Sequence, residues 1–252
     1  MRALQKHTRV YVDGYDLSGF GREVGPLELS HDEVDETTWT DAVKGYLRGH
    51  PQVNIGTLNA IMDDTATTGS HAVLNNGGNK RTVTVARGFG TAPAAGDPVF
   101  AGQFAQQSYQ GAEAGGAVVV TAQFGGWASD AASLAHAMPW GILLNADTAR
   151  TGANAAAGID NPSAGATAKG GYLVYHVTAG NGTATISVDD SADNSAFLAL
   201  SGATTGSINC AAKQYGVVAL GVSATVRRYL RWQIALGTAT SVTFVLSFHR
   251  NY

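Results

Sequence analysis

Thr82-Val83-Thr84-Val85-Ala86 alternates hydroxyl-bearing and aliphatic side chains without a break. A period of two puts every second side chain on one face of an extended chain, so these residues read as a β-strand and offer no apolar stripe at helical spacing. The pattern recurs upstream. Thr8–Val12 alternates before the turn signal Asp13-Gly14-Tyr15, and Val24–Val34 carries Val24, Leu27, Leu29 and Val34 among acidic positions. Gln52–Ile61 places Val53, Ile55, Leu58 and Ile61 at strand spacing, with a phase shift at Gly56-Thr57 that reads as a bulge. Downstream, Phe100–Tyr109 and Ala117–Phe124 read as two strands around the glycine-rich turn Gly111–Gly116, and Trp140–Leu144 as a brief apolar strand. Helical signals are few: His71–Leu74 closed by Asn75-Asn76-Gly77-Gly78, one turn over Asp41–Leu47 stopped by Gly49-His50-Pro51, and a short segment at Ser129–Ala137.

Composition agrees with this. The 252 residues are 44% hydrophobic and only 14% charged, which supplies a packed core, and 32 glycines against 6 prolines suit short strands and tight turns. Sixteen basic and nineteen acidic residues give a net charge of −3, so there is no global basic field and tight nucleic-acid binding is not expected. The one cysteine, Cys210, has no intrachain partner and is expected as a small residue in or beside a strand. The opening MRALQKHTRVYV lacks the apolar run of a signal peptide, and no segment approaches the ~20 apolar residues of a membrane span. Cytosolic synthesis and no membrane partner are therefore expected.

Asp147–Gly170 is almost all Ala, Gly, Thr, Asn and Asp, a composition shift that reads as a linker or long loop. Beyond it, Tyr172–Thr178, Ala184–Val188, Phe197–Leu200, Val217–Val222, Arg228–Leu236 and Thr243–His249 repeat at the spacing of a β sandwich. The expected fold is all-β: an antiparallel sandwich or barrel with one short helix over residues 1–146, a linker over 147–169, and a second, jelly-roll-like sandwich over 170–252.

Residues that carry chemistry do not cluster. The seven histidines, His7, His31, His50, His71, His136, His176 and His249, show no metal-ligand spacing and are expected at the surface or in turns. Asp189-Asp190-Ser191-Ala192-Asp193-Asn194 begins like a calcium loop but lacks its glycine, and the twelfth position is Leu200, not glutamate; it reads as a solvated turn. In Arg227-Arg228-Tyr229-Leu230-Arg231-Trp232, alternation splits the arginines between two faces, which favours packing along aromatic rings over a nucleic-acid stripe. No nucleophile with a base, phosphate-cradling loop or cofactor motif is present in the sequence, so neither enzyme activity nor a cofactor is expected. A carbohydrate- or receptor-binding decoration protein of a capsid or tail, using the C-terminal sandwich and its Tyr and Trp side chains, is the alternative reading.

Two strings carry a family resemblance. RVYVDGYDLSGF, with Asp13, Gly14, Asp16, Leu17, Ser18 and Gly19, and DETTWTDAVKGYLRG, with Thr37, Thr38, Asp41, Ala42, Lys44, Tyr46 and Gly49, resemble the N-terminal signature of siphophage major tail (tail tube) proteins. Trp39, Thr40 and Arg48 depart from the Phe, Gly and Pro usual there, and the likeness extends over roughly residues 8–130. The resemblance implies a virion protein assembled in the bacterial cytoplasm, whose sheets join those of neighbouring copies in a ring, expected to be a hexamer. Stacked rings would surround a tape-measure protein, meet tail terminator and tail-tip proteins, and pass DNA without specific binding. It implies a subunit interface at Asp13, Gly14, Asp16, Leu17, Ser18, Thr37, Thr38, Trp39, Asp41, Lys44 and Tyr46. The acidic residues Asp32, Glu33, Asp35 and Glu36 are candidates for the lumen wall, where they would repel phosphate.

Overall fold

The computed structural model describes residues 5–127, 138–161 and 166–251. Among them the chain is nearly all β: seventeen strands in two antiparallel sheets, of twelve and five strands, with one short α-helix. The first part contains β1 (Thr8–Val12), β2 (Tyr15–Asp16), β3 (Gly21–Val24), β4 (Leu27–Asp35), β5 (Tyr46–Ile61), α1 (Ser70–Leu74), β6 (Arg81–Arg87), β7 (Pro98–Ala114) and β8 (Ala117–Trp127). The chain continues through β9 (Trp140–Arg150), β10 (Asn154–Ala155), β11 (Ile159–Asp160), β12 (Gly171–Gly180), β13 (Thr183–Ser191), β14 (Leu198–Asn209), β15 (Gln214–Ala219), β16 (Tyr229–Leu236) and β17 (Val242–Arg250).

The alternating TVTVA stretch forms the middle of β6, between β1 and β7. β7 belongs to two layers. Its first half pairs with β6, and after a register shift at Phe104/Ala105 its second half pairs with β8. The turn between layers depends on Gly102, where a Cβ would come within 2.6 Å of the Trp127 ring that lies stacked on Phe104. Val10, Val12, Val83, Val85 and Phe100 of one layer meet Val53, Ile55, Leu58, Val120 and Phe124 of the other, with Leu17 and α1 closing the core. Each such side chain gains ~1.5–3 kcal/mol by leaving water.

A second sandwich packs β15, β12, β17 and β9 of the large sheet against β16, β13 and β14 of the small one. Trp232 meets Phe244 edge-to-face at 5.4 Å in its core. The two sandwiches share a sheet, because β9 pairs with both β17 and the start of β7. Their outer faces also press together: Tyr11, Ala86, Val99 and Ala101 pack on Leu143, Tyr172, Val174 and Val245. Thus β12 and β17 are buried on both faces.

Several expectations change. The boundary placed at residue 146 falls inside β9, and the 147–169 segment supplies the end of β9 together with β10 and β11, which pair with β16. Edge pairing needs backbone N–H and C=O groups, which an Ala/Gly-rich segment offers as well as any other. The helical turn expected over Asp41–Leu47 does not form, since Tyr46 already opens β5 and the preceding turn is held by Asp and Thr side chains. Those side chains satisfy the backbone donors a helix would have used. The short helix expected over Ser129–Ala137 lies outside the described residues, as does His136. Cys210 is buried directly after β14.

His176 and His249, expected at the surface, are both fully buried because they stand on the doubly covered strands β12 and β17. The Nδ1 of His176 accepts from the Gly14 N–H at 3.1 Å, so its Nε2 carries the proton and donates to Thr84 Oγ1 at 2.8 Å. Burial holds each ring's pKa down to about 3. Each is therefore neutral in the native state, while the unfolded chain binds a proton near pH 6.5. A depressed native pKa gives stability that is whole above pH 6.5 and drains away as pH falls toward 3. Urea unfolding between pH 6.5 and 5, where most carboxylates are still ionised, is expected to show a loss approaching about 2.7 kcal/mol per pH unit for the two sites together. The His176→Gln variant should show about half that slope.

Candidate assembly interface

The two motifs of the sequence reading come to lie in unlike places. The first is internal. Asp13, in the tight turn after β1, accepts from the Thr82 N–H at 2.8 Å and from Arg81 Nε at 2.5 Å, with Arg81 itself 4% exposed. Burial pushes the Asp13 carboxyl above its ordinary value, against the opposing pull of Arg81 and the Thr82 N–H. Gly14 has φ of +81°, and a Cβ there would meet Lys213 at 3.1 Å and the Val177 carbonyl oxygen at 3.3 Å. Leu17 is fully buried in the first core, Ser18 Oγ accepts from the Val10 N–H at 3.0 Å, and Asp16 accepts from the Ser18 N–H at 2.8 Å. These residues fasten the first sandwich to itself and to β12.

The second motif is at the far end of a projecting arm. β8 pairs with β5 only over Asn54–Ile61, so residues 46–53 are held by β4 alone. At ~3.3 Å per residue that two-stranded stretch extends roughly 26 Å. Its tip is built by side-chain caps: Asp35 accepts from the Thr37 N–H at 2.9 Å, Thr37 Oγ1 from the Gly45 N–H at 3.1 Å, and Asp41 from the Thr38 N–H at 2.7 Å and from its hydroxyl at 2.9 Å. These bonds hold the Asp35 and Asp41 carboxyls below their ordinary values. With the donors satisfied internally, the tip holds its shape while presenting Trp39, at 107% exposure, and Val43, at 80%. Val34, Tyr46 and Leu47 are also exposed along the arm, and so is Lys44. A two-stranded ribbon is marginal by itself in water, and this one carries its large apolar side chains uncovered.

Inward of the arm, β4, β5, β8 and the outer half of β7 make a four-stranded antiparallel sheet. Its core face carries Leu27, Ile55, Ala122 and Phe124; alternation gives the other face Glu28, Asn54, Asn59, Ser108, Thr121 and Gln123. These polar groups bond among themselves, Thr121 to Asn59 at 2.6 Å and Ser108 to Gln123 at 3.1 Å. Asp32 accepts from Gln52 at 2.6 Å at the root of the arm, next to the polar face, and Glu33, Asp35 and Glu36 lie farther out along it. Both lateral edges are open among the described residues: β4 pairs only with β5, and β7 beyond Gln106, whose own N–H donates to the Gly78 carbonyl, only with β8.

Elsewhere the candidates are structural. Asp189, at the start of the calcium-like run, is buried and accepts from Arg231 Nη2 at 2.8 Å; Asp190 accepts from the Arg227 N–H, and Asp193 caps the turn at Ser195 and Ala196. Arg231 lies over the Phe197 ring and Arg228 over Tyr229, the arginine–aromatic packing expected of that patch. Trp232 is 3% exposed, with Arg150 over its ring at 4.4 Å, and offers no open face to a sugar. Among the described residues no group of three or more His, Cys, Asp or Glu is placed to hold a metal ion. Joining of sheets between copies was expected, but which strands carry the open edges was absent from the sequence reading, since pairing partners cannot be read from one strand.

No protein-family model matches the chain, and no curated protein does. Among solved structures it is similar, over 97% of its length and 99% of the other chain, to one described as "Crystal Structure of SPP1 Dit (gp 19.1) Protein, a Paradigm of Hub Adsorption Apparatus in Gram-positive Infecting Phages". The TM-score is 0.33 and the identity 12%, an overlap that assigns no function.

Removing the Asp13 carboxylate strands the Arg81 cation in the protein interior. Asp13→Ala is expected to lower the unfolding free energy by about 3–5 kcal/mol, the cost of an unpaired buried charge, as read by the chemical denaturation midpoint. Asp41→Ala, at the exposed tip, is expected to leave that midpoint nearly unchanged.

Proposed function

We propose that this chain is a non-enzymatic structural subunit of a bacteriophage tail, and specifically a tail tube protein that polymerises into rings. The observation that carries the reading is the four-stranded sheet with two open edges. Counting β4, β5, β8 and outer β7 across it, the strands alternate in direction, so β7 of one copy runs antiparallel to β4 of the next. Repeating that junction continues the antiparallel sheet from copy to copy, and closure of a ring removes every lateral edge. The resemblance of the DGYDLSG and TTWTDAVKGYLRG strings supplies the tail tube as the particular ring and six-fold closure as the expected symmetry.

On this reading the core face of the sheet points outward to its own sandwich and the polar face lines the lumen. Amides and hydroxyls, with the Glu28 carboxylate among them and Asp32 at the margin, give a wall without the cations whose counterion release would bind DNA. The lumen would hold a tape-measure protein during assembly and conduct DNA afterwards. Tail terminator and tail-tip proteins would cap the two ends, in a virion put together in the bacterial cytoplasm. The C-terminal sandwich stands on the outer side of the ring, behind the β12–β17 layer.

Negative-stain microscopy of the purified protein is expected to show rings or tubes of uniform diameter, and antibodies to the chain should decorate the tails of intact particles. A species that stays monomeric in sedimentation velocity at the highest soluble concentration, with no chain found in virion tails, would defeat the proposal.

A further inference from the structure

We infer that the acidic tip of the β4–β5 arm docks head-to-tail into a basic recess at the opposite end of β5 in a second copy of this chain, an inference that rests on the tail tube reading. The recess lies beside the Ile61 end of β5. It is open, about 660 Å³ in volume, and lined by Gln5, Arg22, Glu23, Asn59, Arg87 and Val119. Lys6 and Arg9 line an adjoining hollow that shares Arg22. Among the described residues none of these four cations pairs with a carboxylate: Arg9, Arg22 and Arg87 reach only backbone carbonyls or the Thr8 hydroxyl. The carboxylate of the recess, Glu23, lies within 3.4 Å of the Asn59 amide. Next to it Ile61, Met62 and Val118 form an exposed apolar patch, brought together where the Met62 N–H donates to the Val118 carbonyl.

The other end of the same strand is the complement in both respects. The arm carries Asp32, Glu33, Asp35, Glu36 and Asp41 against Lys44 and Arg48, and presents Trp39, Val43 and Leu47 to solvent. Its carboxylates, too, make no ion pair among the described residues. β5 has sixteen residues, so arm and recess stand roughly 50 Å apart at ~3.3 Å per residue. A strand paired along its length cannot fold back to join its own ends. A second copy can supply the missing half, aromatic against aliphatic and carboxylate against guanidinium, the arrangement that steers and registers an interface. Because the two surfaces differ, the contact is heterologous and leaves a free arm at one end and a free recess at the other, so it propagates. It uses strand ends, whereas the proposed ring uses strand edges, and one copy can make both.

Charge reversal tests this with exposed side chains. Glu33→Arg with Glu36→Arg on the arm, or Lys6→Glu with Arg22→Glu at the recess, is expected to leave rings but cut sedimenting tubes by about tenfold or more. All four substitutions in one chain should restore tubes. Wild-type tubes should also fall apart into rings between low salt and about 1 M NaCl, where the Debye length shrinks to about 3 Å. Wild-type tube length from either single-end variant overturns the docking, and so does a folded four-substitution protein that does not stack. Salt-insensitive tubes overturn it as well, and that measurement needs no variant to fold. A wild-type chain that forms neither rings nor tubes overturns the tail tube reading together with the docking; stacked rings unaffected by any reversal overturn the docking alone.

Discussion

Tyr172 stands where one continuous sheet is pressed against itself. Its ring lies stacked on His249 at 4.6 Å, its hydroxyl is 3.0 Å from the Ala101 carbonyl oxygen and 2.7 Å from that of Met138, and around it the outer faces of the two sandwiches close. This contact makes the β12–β17 layer an interior layer, and an interior layer has no solvent face on which to place polar side chains. The few it holds must be satisfied by neighbours. His176 is the clearest case, bridging the Gly14 turn and Thr84 of the first sandwich from its place on the second. The DGYDLSG turn is accordingly a fastening between halves. Its glycine is needed because the β12 backbone and Lys213 approach where a Cβ would sit.

With both sandwiches fixed to one another, the arm and the four-stranded sheet are the parts left incomplete. Cores elsewhere are filled by alternating aliphatic residues, yet Trp39 and Val43 remain in water at the end of a ribbon that has only itself for a partner. Side-chain caps at Thr37 and Thr38 hold that tip in shape without burying it. Holding the backbone beneath an exposed aromatic residue in shape lowers the entropic cost of ordering that segment later, the property by which preorganised surfaces gain affinity. Open edges at β4 and outer β7 are incomplete in the same sense, since their backbone donors and acceptors face solvent along a sheet ready to continue.

Much of this was legible in the sequence. Period-two alternation located β1, β6, β8 and β13, and the phase shift at Gly56-Thr57 appears as the register break between Ile55 and Leu58. The division into two independent sandwiches was harder to judge, because composition reports side chains and the joining of β9 to β7 and β17 is made by backbone. One signal was present. Tyr172–Thr178 and Thr243–His249 are nearly continuous apolar runs, and such runs mark strands covered on both faces; the same signal places His176 and His249 inside. The two family motifs, adjacent in the sequence reading, separate in space because the first ends in a buried turn and the second in a hairpin tip. Nothing in the period of either string distinguishes those fates; the apolar Leu17 in the one and the Thr-Asp caps of the other do.

A net charge of −3 describes a sum and hides an arrangement. Lys6, Arg9, Arg22 and Arg87 gather at one end of β5 and the arm's carboxylates at the other, while the polar face of the sheet between them is mostly amide and hydroxyl. Separation of this kind gives each copy a direction, so that copies meeting tip to recess attract and copies meeting tip to tip repel. The same separation keeps the cations away from the polar face. If that face lines a DNA passage, as proposed, a basic wall would neutralise phosphates and release their counterions, turning the passage into a binding site. On the tail tube reading proposed above, the useful quantity is where, among the described residues, each unpaired charge stands: cations at one end of β5, carboxylates at the other, and a mostly neutral polar face between them.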